Sequence, residues 1–110
     1  MDLAAIPWRK TSYPGVGIHF YRSDRHSGRV VALIRMEPGC GYPRHQHRGA
    51  EAVLVVAGGY RDEGGRYAAG QFVTHADGTT HTPVALGGPD DPPCVLLAVA
   101  LFRLKKTLRE

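Results

Sequence analysis

Apolar and polar positions along this chain alternate in short runs of strand type, with no amphipathic helical period of useful length. "RVVALIRM", residues 29–36, is rich in β-branched residues and lies between Gly28 and Pro38-Gly39, which predicts a strand. "EAVLVVAG", residues 51–58, is apolar at odd and even positions alike, which predicts a strand covered on both faces. A long last strand is expected over "CVLLAVALFRL", starting at Cys94. "GIHFYRSD", residues 17–24, and "GQFVTH", residues 70–75, are further strand candidates. "GGYRDEGGRY" predicts a hairpin turning at Asp62-Glu63-Gly64-Gly65. Residues 1–17 are broken by Pro7, Pro14, Gly15 and Gly17, so they are expected to form an irregular arm, anchored by Trp8. Many short strands with frequent turn signals argue for a sandwich or barrel.

Composition narrows this without redirecting it. A chain of 110 residues is one domain, here 1–110 with a barrel core at about 28–103. Its 14 glycines and 8 prolines suit a turn-rich β fold better than a helical one. A small core, and a strand apolar on both faces, lead to the expectation of a homodimer. The formal charge is +4, but the basic residues are scattered. Their one cluster, Arg103, Lys105, Lys106 and Arg109, has no interleaved aromatics of the kind that stack on bases. Nucleic acid is therefore not an expected partner. No apolar run reaches transmembrane length, so no membrane is expected either. Met1 to Ile6 is too short for a secretion signal, and the two cysteines, Cys40 and Cys94, fit a reducing cytoplasm as unbonded thiols.

The candidate chemistry lies in "GCGYPRHQHRGAEAVLVVAGGY", residues 39–60. Alternate side chains of a strand face one way, so His45 and His47 share a side, and Glu51, Val53 and Val55 keep the same parity. Two imidazoles and a carboxylate could thus converge at the lip of an apolar interior. Those donors, nitrogen with one hard oxygen, suit a divalent transition metal. A histidine pair alone is common on exposed strands. A carboxylate at the head of six apolar residues is harder to place without a partner.

These residues and their spacing resemble the cupin motif. Its first half, G-x5-H-x-H-x3-E-x6-G, is met at Gly39, His45, His47, Glu51 and Gly58. Its second half, G-x5-P-x-G-x2-H-x3-N, is met at Gly70, Gly78 and His81, with Ala76 in place of the proline and Ala85 in place of the asparagine. The resemblance implies an all-β fold, a small antiparallel jelly-roll barrel of the RmlC-like type. It implies a metal inside one end, with His45, His47, Glu51 and His81 as ligands. The stretch from Pro38 to Val73 is similar to the ChrR-like branch, through Pro43, Gly49, Gly59-Tyr60, Asp62-Glu63, Gly65 and Tyr67. Acetylacetone-cleaving dioxygenases are a more distant resemblance, and they use three histidines and iron without a glutamate. ChrR-type proteins also carry an N-terminal helical domain that binds zinc and clamps a sigma factor. The residues before this barrel show no helical pattern and no cysteine, so a sigma factor is not an expected partner.

The remaining candidates take simpler readings. His75 shares the parity of His81 but is separated from it by a loop with Gly78, and is read as a strand-end histidine, with a place at the rim as the alternative. His19 and His26 are read as surface residues, and Cys40 and Cys94 as small buried hydrophobes. Tyr42 and Tyr60 belong to the core or border the cavity. Arg44 and Arg48 are out of phase with the histidines and should face away. Four ligands close a zinc site, whereas iron, manganese, nickel or copper would keep open positions for oxygen, water or a small molecule. The expected function is therefore a metal-binding, ChrR-like cupin with a sensing or small-ligand role. A metal-dependent dioxygenase acting on a small oxygenated molecule such as a diketone is the alternative.

Overall fold

A computed structural model of the chain describes residues 2–24, 26–46 and 49–101. Eleven strands follow one 3-10 turn, Leu3–Ala5, and no α-helix occurs among the described residues. The strands are β1 Arg9–Lys10, β2 Val16–Ser23, β3 Arg29–Met36, β4 His45–Gln46, β5 Glu51–Ala57, β6 Gly59–Asp62, β7 Gly65–Ala68, β8 Phe72–His75, β9 Thr80–His81, β10 Val84–Ala85 and β11 Cys94–Leu101. They form a six-stranded sheet in the order β1-β2-β3-β11-β5-β8, a three-stranded sheet β10-β6-β7, and the pair β4-β9. Every pairing is antiparallel. This is the RmlC-like cupin arrangement expected from the motif.

The core lies between the two larger sheets. Met36 of β3, Val53 and Val55 of β5, and Leu96 and Ala98 of β11 come from one side. Tyr60 of β6 and Ala85 of β10 close the same cluster from the other. Burial of such a face is the main favourable contribution to folding. The parity of Glu51, Val53 and Val55 thus holds, since the two valines point inward and Glu51 stands at the end of the buried row.

The strands meet the sequence expectations closely, although the short β9 and β10 form where no strand is expected, and three further differences stand out. Arg9 and Lys10, in the region expected to be irregular, pair with Ile18 and Gly17. Trp8 is half-buried beside Gly17, and its indole N–H donates to the Leu3 carbonyl at 3.3 Å, so it anchors the arm as expected. The second difference is in β5, expected to be covered on both faces. Its outward Leu54 is 37% exposed, and the paired Phe72 of β8 is 67% exposed. An apolar run reports that both faces tolerate burial, not that this chain covers both. The third is Cys40, expected to be buried, which is half-buried and packs onto the turn at Gly15, while Cys94 is fully buried. The last strand is described as far as Leu101, and its expected continuation over 102–104 lies outside the described residues.

Glycine is required at one strand junction in particular. Gly58, between β5 and β6, has φ +65°, and a Cβ there would stand 2.7 Å from the Pro93 carbonyl oxygen. The sharp turn carries the chain from the large sheet into the small one. Among the described residues, no helix is long and apolar enough to cross a membrane.

Candidate metal centre

Backbone pairing brings the two halves of the motif together. His45 of β4 stands opposite His81 of β9, and Gln46 opposite Thr80. The Gly49 N–H donates to the Asp77 carboxylate at 2.9 Å, which ties the first half to the turn before β9. That turn is closed by Thr79, whose N–H and hydroxyl both donate to the Ala76 carbonyl, at 3.2 and 2.7 Å. Gly78 within it has φ +89°, a conformation that a side chain makes costly. The side chain of His45, and all of His47 and Arg48, lie outside the described residues.

At the lip of the core, three side chains converge. Glu51, His75 and His81 each offer a donor atom, and these atoms lie within 4.8 Å of one another. Glu51 and His75 are direct cross-strand partners of β5 and β8. The rings of His75 and His81 are 4.4 Å apart at their centroids, tilted by 39°. Donors bound to one ion at about 2.0–2.2 Å stand no more than about 4.4 Å apart, so the cluster needs little closure to hold one. Two nitrogens and one carboxylate oxygen also match what a divalent transition ion prefers. Of the expected ligands, Glu51 and His81 are thus brought together. His75, expected at the strand end or the rim, joins them.

Strand β6 supports two of these side chains. The Tyr60 hydroxyl lies 3.2 Å from Nε2 of His75, and Asp62 Oδ2 lies 3.0 Å from Nδ1 of His81. Tyr60 and Asp62 are two residues apart on one strand and so face one way. Tyr60 is therefore both a core residue and a border of the site. In the sequence Asp62 stands in a turn and in the ChrR-like stretch, with no role at the site. The turn is there, with Asp62 paired to Gly65 across Glu63-Gly64, but the carboxylate also reaches His81.

The electrostatics follow from burial and these contacts. Burial pushes the Glu51 carboxyl above the ordinary glutamate range, and the nearby His81 opposes that in part. Burial also acts on Asp62, but the hydrogen bond from His81, the Gly64 N–H and the charges of His81 and His75 outweigh it, and hold its carboxyl below the usual range. Burial, helped by the Glu51 charge, pushes the half-buried Tyr42 up to about 12. Cys94 is pushed up to about 12 by burial alone, which makes it an inert core thiol, as expected.

The other residues singled out from the sequence sit away from this cluster. Arg44 is exposed, its guanidinium 3.9 Å from the Glu63 carboxylate. His26 is exposed in the β2–β3 turn. His19, expected on the surface, is half-buried and meets Tyr21 edge to face at 4.9 Å between ring centroids.

Known proteins are similar to this chain in sequence and in fold. The ChrR cupin-like domain family matches residues 1–91. The anti-sigma-E factor ChrR of Cereibacter sphaeroides is 39% identical over 69 residues, 63% of this chain and 31% of that protein. The crystal structure of Rhodobacter sphaeroides SigE in complex with the anti-sigma ChrR contains a chain that superposes with a TM-score of 0.77 at 32% identity, over 89% of this chain and 51% of that one. An acetylacetone dioxygenase from Acinetobacter johnsonii superposes with a TM-score of 0.77 over 92% of this chain and 72% of that one, and at 12% identity the likeness is of fold alone. This chain thus covers 31% of the one ChrR chain and 51% of the other, about half their length or less. With the fold, the motif spacing and the match over residues 1–91 in agreement, the chain belongs to the ChrR cupin-like domain family.

Proposed function

We propose that this chain is a metal-binding cupin whose single divalent transition ion is held at the lip of the barrel, in a sensing or small-ligand role. The observation that carries the reading is the convergence of Glu51, His75 and His81 at the mouth of an apolar interior. Glu51 and His81 would hold the ion together with His45 and His47, and His75 stands within reach as a further donor. Zinc, iron, manganese and nickel all suit this donor set. A bound ion would supply Lewis acidity and any open coordination positions. This chain's residues supply the rest. Glu51 brings the negative charge, β6 orients the imidazoles, and Val53 and Val55 keep water from the inner side.

A sensing role is supported by the 39% identity over 69 residues to the anti-sigma-E factor ChrR. The free thiols Cys40 and Cys94 agree with a cytoplasmic setting. The test is metal analysis of protein purified without added metal. About one ion per chain is expected, and His81→Ala should remove most of it. Full occupancy in His81→Ala would place the ion elsewhere. Diketone-dependent oxygen uptake by the iron-loaded protein would favour the dioxygenase alternative.

A further inference from the structure

We infer that Asp62 is a positioning residue for the candidate metal centre, holding His81 in the tautomer with its proton on Nδ1, so that Nε2 keeps the lone pair to donate. The inference rests on the metal reading above for its purpose, though its geometry stands without it.

Asp62 closes β6 at the hairpin turn, and its side chain is 3% exposed. Oδ2 takes the contact with Nδ1 of His81 at 3.0 Å. Oδ1 accepts from the Gly64 N–H at 2.8 Å and from the Tyr67 hydroxyl at 3.3 Å. The carboxylate is thus fixed on one side by the turn and on the other by the ring. A carboxylate is an acceptor only, so the ring nitrogen facing it must carry the hydrogen. A neutral imidazole has one donor and one acceptor nitrogen, which leaves Nε2 as the acceptor. His81 is itself 7% exposed, so its ring has little freedom to turn over. Metal-bound histidines commonly have their other nitrogen held by a carboxylate in this manner, and loss of that partner typically lowers metal affinity by about 10- to 100-fold.

A turn aspartate that merely caps the Gly64 N–H is the competing explanation. Asp62→Asn separates the two, because an amide oxygen still accepts from Gly64 while the charge is lost. Tyr67→Phe is the control, since it removes one bond to Asp62 and leaves His81 untouched. Two measurements apply. The first is nitrogen NMR of the metal-free full chain at about pH 8, above the ordinary histidine range, which reports the tautomer of each ring. His81 should carry its proton on Nδ1 in the wild type, and this preference should weaken in Asp62→Asn. The second is Co2+ affinity by chelator competition. Asp62→Asn should bind about 10-fold more weakly, and Tyr67→Phe should match the wild type.

A wild-type His81 protonated on Nε2 overturns the inference, and does so even if no variant folds. Unchanged Co2+ affinity in a folded Asp62→Asn overturns it as well. A wild type that takes up no Co2+ defeats the metal reading instead, and the His81 tautomer alone then decides the role of Asp62.

Discussion

Glu51 and His75 stand directly opposite each other on β5 and β8, at the end of the buried row formed by Val53 and Val55. The pair sets a carboxylate and an imidazole on one side of the large sheet, with His81 arriving from the small pair β4-β9. The site is therefore assembled from two separately paired pieces of the chain. Its stability should depend on what occupies it.

Glu51 gives the first prediction. Burial raises its carboxyl pKa in the folded protein above the unfolded value, so the metal-free fold loses stability as pH rises from the ordinary glutamate range through the folded value. Glu51→Gln removes that penalty. Metal-free Glu51→Gln should melt above the wild type at neutral pH, and the gap should close as pH falls toward the ordinary glutamate range. With metal present the order should reverse, because the ion stabilises only the state that binds it. Thermal melts across pH, with and without metal, check both signs. An equal metal-induced rise in the two proteins would remove Glu51 from the site.

His75 gives the second. Its place among the donors predicts that His75→Ala weakens metal binding by about 10-fold while the barrel stays folded. Chelator competition measures this. An affinity equal to that of the wild type would return His75 to the strand-end role the sequence suggested. Tyr60→Phe, which removes only the hydroxyl facing His75, should have a smaller effect in the same direction.

Two motif glycines separate conformational from steric cost. Gly39 has φ +80°, and beyond its chain neighbours no described atom lies within 4 Å of where a Cβ would stand, whereas Gly58 has φ +65° with the Pro93 carbonyl oxygen 2.7 Å from that position. Gly39→Ala should cost about 1–2 kcal/mol, and Gly58→Ala distinctly more. Denaturant unfolding ranks the two, and equal losses would mean that the β5–β6 junction relaxes freely.

The outer face of the large sheet gives the fourth. Leu54, Phe72 and Val99 are 37%, 67% and 44% exposed, and Leu54 pairs with Phe72. We propose that a second copy of the chain covers this strip, since its two sides would match each other in an isologous contact. Light scattering should show a dimer, and Phe72→Asp should shift it to monomer. A strict monomer at high micromolar concentration would exclude the arrangement.

Much of this architecture can be read from residue pattern alone. The run at 29–36 is fenced by Gly28 and Pro38-Gly39, and the structure begins and ends β3 within it. The hairpin at Asp62-Glu63-Gly64-Gly65 turns where its glycines predict. Glu51 is conspicuous because a carboxylate heads an apolar run. His75 is not, because strand parity does not carry across the loop through Gly78, and only the pairing of β8 with β5 puts it opposite Glu51. Asp62 is hidden for a related reason. A turn explains an aspartate fully, so nothing in the sequence asks for a partner 19 residues away. Leu54 shows the same limit, since hydrophobicity says that a side chain can be covered but not by what.

The position of β11 has a consequence for how the chain is made. It lies between β3 and β5 and pairs with both, as the last of the described strands in chain order. During synthesis the two flanking strands emerge first, and each presents an open, largely apolar edge until residues 94–101 leave the ribosome. The centre of the large sheet is therefore its final piece, and a nascent chain halted before Cys94 is a species that chaperones would have to shield.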